Sequence, residues 1–239
     1  MSFFDRDPGK YKGPAESLVP RMSPFELCDG PNLRHPDDPL AAPFSGVFQL
    51  VIELTDGAWT SGSCFHIGGG RFVTAGHCLF FHDLQLMATQ VGIVNATGDG
   101  TVTDVFQVPQ EFVDNDYAES HDFGCIDVTD GAWPLPDFAF DLWSATNAEL
   151  EDKENVHLCG FPAPYPGDVM VTTGSVRKGH VLLGAQRLRY TMDTLKGMSG
   201  GPCFTNVDGA RLAVGIHVNG DCPNGAVRIT ADIRAWLNG

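Results

Sequence analysis

From residue 46 onward the chain alternates apolar and polar side chains in short runs. GVFQLVIEL (46–54) opens the pattern, and SCFHIGGGRFVTAGHC, LQLMATQVGIV, TVTDVFQVP and FGCIDVTD continue it. Each run has strand length, and the runs are separated by turn-forming residues. A Pro- and Asp-rich stretch, 129–155, reads as a connection. Beyond it VHLCGFP, VMVTTGSVRKG, HVLLGAQRLRYTM, GPCFTN, ARLAVGIHVNG and GAVRIT form a second β-rich block. The chain closes with ADIRAWLN, where Ile233, Trp236 and Leu237 fall at helical spacing. Residues 1–43 are rich in Pro, Asp and Gly and lack a sustained period, which predicts an extended arm or pro-segment. The pattern predicts an all-β protein with twin barrels, the first over 44–140 and the second within 141–239, a range that also holds the connection and one short C-terminal helix. Barrels remove the exposed strand edges that such a sequence would otherwise present. The two halves share no sequence repeat.

Composition narrows the partners. A chain of 239 residues buries roughly 70–75% of its unfolded surface, so a sizeable core forms without a metal. The formal charge of −15 argues against nucleic acid and against an anionic membrane. We read the acidity as keeping a secreted protein soluble. The opening MSFFDRDPGKYKGP has no apolar signal-peptide core, so composition alone leaves the compartment open. No apolar run is long enough to span a bilayer. Seven cysteines, without a CxxC pair or an HExxH, offer zinc no recognisable site, and no cofactor is expected. HIGGGRFV is followed by a strand-like segment rather than a helix, so it reads as a hairpin turn and not a phosphate loop. NATGDGTVTD reads as a solvated loop, with Asn95 a glycosylation acceptor only on a eukaryotic secretory route.

TLKGMSGGPCF (194–204) sets Ser199 among glycines. A turn serine is inert unless a base takes its proton and a third group orients that base. RFVTAGHCLF supplies His77 just after a strand, and ESHDFGCIDV supplies Asp122 just before one. Asp114, Asp116 and Asp127 lie nearby, but only Asp122 stands where a strand pattern begins at the next residue. His66, His82, His121, His157 and His180 read as ordinary surface or packing residues. With the order His, Asp, Ser, these three blocks strongly resemble the chymotrypsin-fold serine proteases over residues 44–238. The resemblance implies two six-stranded antiparallel β-barrels with the active site between them. It also implies a catalytic triad of His77, Asp122 and Ser199, an oxyanion hole from the Gly197 and Ser199 amides, and polypeptide substrates cut by a monomer. An imidazole near its reference pKa would give activity rising through roughly pH 6–7.

Further assignments rest on the same resemblance. It implies a Cys64–Cys78 disulfide, which in the chain-entropy model stabilises by about 3 kcal/mol. A second disulfide, Cys159–Cys203, is implied by strands resembling a paired set in the second barrel. Cys28, Cys125 and Cys222 stay unassigned, with Cys125 reading as a buried hydrophobe. YTMDTLKGMSGGP, GIHVNG and NGAVRI are most similar to the bacterial-type glutamyl endopeptidases. That similarity places Thr194 and His217 in the S1 pocket, where a hydroxyl and an imidazole bind a P1 carboxylate. Asp193 stands where trypsin-type enzymes bind Lys or Arg, and in the glutamyl type we expect it to point away. Met198 precedes the nucleophile where animal-type relatives carry the Asp that pairs with a new N-terminus. SLVPRMSPF offers processing after Arg21. The rival readings are trypsin-like specificity through Asp193 and a non-catalytic binding module on the protease fold.

Overall fold

The structure is a computed structural model describing residues 32–239, except 56, 116, 117, 130, 132, 152, 154, 177–185, 221 and 222. Residues 1–31 of the expected arm 1–43, with Arg21 and Cys28, together with Asp116, His180 and Cys222, lie outside the described residues.

The first half contains β1 (Val47–Leu54), β2 (Trp59–Gly68), β3 (Arg71–Thr74), β4 (Phe80–Phe81), β5 (Leu86–Val94), β6 (Gly100–Thr103), β7 (Phe106–Gln107) and β8 (Gly124–Asp127). The second contains β9 (Asp141–Leu142), β10 (Val156–Gly160), β11 (Met170–Gly174), β12 (Arg187–Tyr190), β13 (Pro202–Val207), β14 (Ala210–Asn219) and β15 (Asn224–Arg228). Six full strands build each sheet, and the two-residue strands β4, β7 and β9 add to them. Strand order is β4-β5-β1-β2-β3-β8-β7 in the first sheet, with β6 on β5, and β11-β10-β13-β14-β15-β12 in the second. Pairing is antiparallel except where β9 joins β14.

Alternation explains the local choice of strand. In β1 Phe48, Leu50, Ile52 and Leu54 are buried while Gln49, Val51 and Glu53 are half-buried, the period of a sheet with one face on a core. Both sheets curl until their ends approach. Asp127 N–H donates to Val105 O at 2.9 Å in the first half, and a Val176–Tyr190 bridge joins the outer strands of the second. One hydrophobic core runs through both halves, and a smaller one lies within the second sheet. The C-terminal helix (Ala231–Asn238) starts on Thr230, whose hydroxyl accepts from Ile233 N–H at 3.3 Å. It buries Ile233 and Leu237, and Trp236 meets Phe123 of the first half edge-to-face. The last element of the second block thus fastens the two halves together.

The cysteines correct the sequence reading. Cys64, Cys78, Cys125, Cys159 and Cys203 are all buried free thiols, so neither implied disulfide is present among the described residues. For Cys159 and Cys203 the register gives the reason. Leu158 is the partner of Cys203, so its neighbour Cys159 projects from the opposite face of the sheet. The two sulfurs therefore belong to different cores. Cys64 and Cys78 share a core, but the Cys78 thiol is directed at Ser199 O, 3.8 Å away, rather than bonded to Cys64. Burial, and after it Cys78, hold the Cys64 thiol well above its ordinary range.

Candidate active site

His77 sits in a single 3-10 turn (Gly76–Cys78) that follows β3. Asp122 ends another such turn (Glu119–His121) just before β8, the neighbour of β3 in the sheet. The two turns emerge side by side for that reason. One carboxylate then holds His77 twice: Oδ2 lies 2.8 Å from the ring Nδ1, and Oδ1 accepts from the His77 backbone N–H at 2.8 Å. Because an ionised carboxylate only accepts, Nδ1 carries the proton and Nε2 is left as the basic nitrogen. Burial opposes the charged ring, but Asp122 and then Cys78 outweigh it, and the His77 pKa stands well above its ordinary value. The expected pH 6–7 limb therefore moves to more alkaline pH.

Ser199 belongs to the second half yet rests on the first. Its carbonyl accepts from Ser63 N–H of β2 at 2.7 Å, and the thiol next to His77 reaches the same oxygen. Gly200 has φ +87°, and a Cβ there would stand 2.1 Å from Ser63 O. Only glycine allows the loop this close to the first sheet. Gly197 has φ +93°. Lys196 O accepts from Ala163 N–H at 2.7 Å, so in a planar trans peptide the Gly197 N–H points the other way. Among the described residues neither the Gly197 nor the Ser199 amide donates to a protein acceptor. Such amides are available to an oxyanion.

Ser63 was not anticipated. Fully buried, its hydroxyl donates to Gly197 O at 2.7 Å and accepts from Phe161 N–H at 2.8 Å, tying β2 to two loops of the second half. Nothing in SGSCFH distinguishes it from an ordinary strand serine.

Behind Ser199, His217 on β14 is locked to the same loop: Gly200 N–H donates to His217 O at 2.7 Å, and His217 N–H to Gly201 O at 2.9 Å. Its ring is buried, with Nδ1 2.6 Å from the Tyr190 hydroxyl and 3.1 Å from Gly225 O. Desolvation pulls its pKa down to about 3. Thr194 is buried on the segment leading to Ser199, and its hydroxyl has no protein partner among the described residues. Asp193 is buried as well. Its carboxylate accepts from Asn32 N–H at 2.8 Å, and Asn32 Oδ1 accepts in return from Asp193 N–H at 3.2 Å.

The remaining candidates are occupied elsewhere. Asp127 pairs with Arg71 at 2.7 Å and Asp114 accepts from Gln110. His66 is buried with Nδ1 3.0 Å from Phe138 O, and His157 meets Thr173. Cys125 is buried, which lifts its thiol to about 11. Among the described residues no group of three or more His, Cys, Asp or Glu could hold a metal ion.

The family profile described as trypsin-like peptidase domain matches residues 62–216, which include His77, Asp122 and Ser199. The chain belongs to that family. Solved structures extend the likeness to nearly the whole peptidase. A Glu endopeptidase in complex with MPD superposes with a TM-score of 0.68 at 20% identity, covering 89% of this chain and 97% of its own. The protease Anisep from Arthrobacter nicotinovorans gives 0.63 at 18% identity, covering 81% and 94%. A thermostable serine protease, AL20, from an extremophilic microorganism gives 0.62 at 17% identity, again with 81% and 94%. The peptidase therefore has the chymotrypsin-like fold of serine proteases. No curated protein matches its sequence.

Proposed function

We propose that the protein is a serine endopeptidase that hydrolyses peptide bonds through an acyl-enzyme and prefers Glu or Asp at P1. The observation that supports this most is the double hold of Asp122 on His77. It leaves Nε2 as the basic nitrogen, and Cys78, next to His77 in the chain, reaches the Ser199 carbonyl at 3.8 Å. His77 takes the Ser199 proton as the hydroxyl attacks the scissile carbonyl, and returns it to the leaving amine. Asp122 stabilises the imidazolium, and the Gly197 and Ser199 amides take the developing negative charge. Water then attacks the acyl-enzyme by the same proton route in reverse.

Thr194 and His217 would receive the P1 side chain. The buried tie of Asp193 to Asn32 counts against the trypsin-like alternative, because that carboxylate is already engaged. The presence of all three triad side chains counts against a non-catalytic module. A fluorophosphonate probe should label Ser199 and leave Ser199→Ala unlabelled. Peptides differing only at P1 should be cut after Glu or Asp, and cleavage after Lys or Arg would overturn the specificity assignment.

A further inference from the structure

The ring of His217 ends in a hydrogen-bonded relay that the triad does not use. Cys203 Sγ of β13 donates to the Tyr190 hydroxyl at 3.5 Å. That hydroxyl lies 2.6 Å from His217 Nδ1 and 3.2 Å from Gly225 O. Gly225 O is in turn 3.1 Å from the same Nδ1. Tyr190 is fully buried, and burial keeps its hydroxyl protonated.

Counting protons selects one arrangement. A backbone carbonyl only accepts, so Gly225 O needs donors. If Nδ1 carries a proton, it donates to Tyr190 Oη and Gly225 O, Tyr190 O–H donates to Gly225 O, and Cys203 S–H donates to Tyr190 Oη. Every hydrogen then has an acceptor. If Nδ1 is bare, Tyr190 O–H can donate to it at 2.6 Å, but the Nδ1 and Gly225 O lone pairs then face each other at 3.1 Å with no hydrogen between them. The relay therefore places the ring proton on Nδ1. The other nitrogen, Nε2, has no protein partner among the described residues.

We propose that Tyr190 is the positioning residue of the S1 pocket: it fixes His217 with Nδ1 protonated and Nε2 bare, so glutamate binds only together with one proton, whereas glutamine binds by donating its side-chain amide. This rests on the assignment of His217 to S1. A carboxylate has no hydrogen to give, so it meets a bare Nε2 as two acceptors. The missing proton comes from solvent and makes an imidazolium that both Tyr190 and the P1 carboxylate stabilise. A glutamine amide fills the same gap with its own N–H.

The charged surroundings agree. The His217 ring is buried against Tyr190 of β12, which Cys203 of β13 touches in turn, and Arg187 of β12 and His77 and Asp122 of the first half lie near enough to act on its charge. Desolvation first, and after it His77 and Arg187, disfavour a positive charge on its ring, and the bond to Gly225 O and the Asp122 carboxylate only partly offset them.

The test uses matched peptides with P1 Glu, Gln or Lys, measured from about pH 5.5 to 8.5. Both acidic and amide substrates share the triad, so the ratio of kcat/KM for Glu to that for Gln cancels the titration of His77. Because kcat/KM reports the free enzyme and free substrate, the ratio should fall about tenfold per pH unit. Tyr190→Phe removes an acceptor from the imidazolium, and it should lower the Glu:Gln ratio by a further tenfold or more. A ratio that stays flat with pH would show that Nε2 already carries a proton, and would overturn the proposal. Equal losses for Glu and Gln in Tyr190→Phe would reduce Tyr190 to a packing residue and also overturn it. If the variant does not fold, the wild-type pH series still decides. Preference for Lys would instead refute the S1 assignment itself, a different failure.

Discussion

Replacing Ser63 by alanine tests how the halves are joined at the active site. The hydroxyl is fully buried between Gly197 O at 2.7 Å and Phe161 N–H at 2.8 Å. Its removal strands one acceptor and one donor where water does not reach. Each stranded group costs about 1–3 kcal/mol, so the variant should lose roughly 2–6 kcal/mol. Against a typical total of about 5–15 kcal/mol that is a large fraction. The loosened Gly197 carbonyl also frees the peptide that lies between the two amides proposed for the oxyanion hole. A displaced donor lowers kcat by about 100- to 1,000-fold. Urea unfolding followed by tryptophan fluorescence gives the first quantity, and turnover of a small ester substrate gives the second. A stability change below about 0.5 kcal/mol with unchanged kcat would refute the reasoning, because it would mean that neither group depends on Ser63.

Five further outcomes follow from the structure. Since His77 must be neutral to act as a base and its pKa is raised, the rising kcat/KM limb for a substrate with glutamine at P1 should lie above about pH 6.5, and Asp122→Asn should move it down. The same shift makes the His77–Asp122 pair stabilise the fold fully below about pH 6.5, with that contribution lost as pH rises through the raised value; chemical denaturation across this range checks it. Gly200→Ala should fail to accumulate as soluble protein, because its Cβ would overlap Ser63 O at 2.1 Å and Thr74 Oγ1. Asp193→Asn should cost about 1–3 kcal/mol by weakening the Asn32 tie while leaving the P1 preference in place, read from melting curves and a P1 peptide panel. Under denaturing conditions a thiol reagent should titrate at least the five free cysteines, with or without prior reduction.

The fold was legible because its signals are local. Alternation in GVFQLVIEL and turn residues between runs mark strands wherever they occur, and the capped, periodic ADIRAWLN marks the final helix. The short strands Phe80–Phe81, Phe106–Gln107 and Asp141–Leu142 carry too few residues to show a period. At the site, a strand starting after Asp122 put that carboxylate beside the turn bearing His77, and the sequence carried that much. What the sequence withheld are partners far apart along the chain. Ser63 meets Gly197, Asn32 meets Asp193 and Tyr190 meets His217 only after both sheets have curled. Cysteine pairing failed for a related reason. Whether Cys159 can reach Cys203 depends on a one-residue register that flips a side chain through the sheet, and composition is blind to it.

The seat of Ser199 on β2 has a mechanical consequence. Ser63 N–H grips the nucleophile's carbonyl from one side, while the next residue, Gly200, is bonded to β14 from the other. The loop is a rivet through two plates. Hinge opening between the halves would have to shear it, so Ser199 keeps its place on β2 and β14 together. Any relative motion of the two halves would therefore turn about this loop as its fixed pivot.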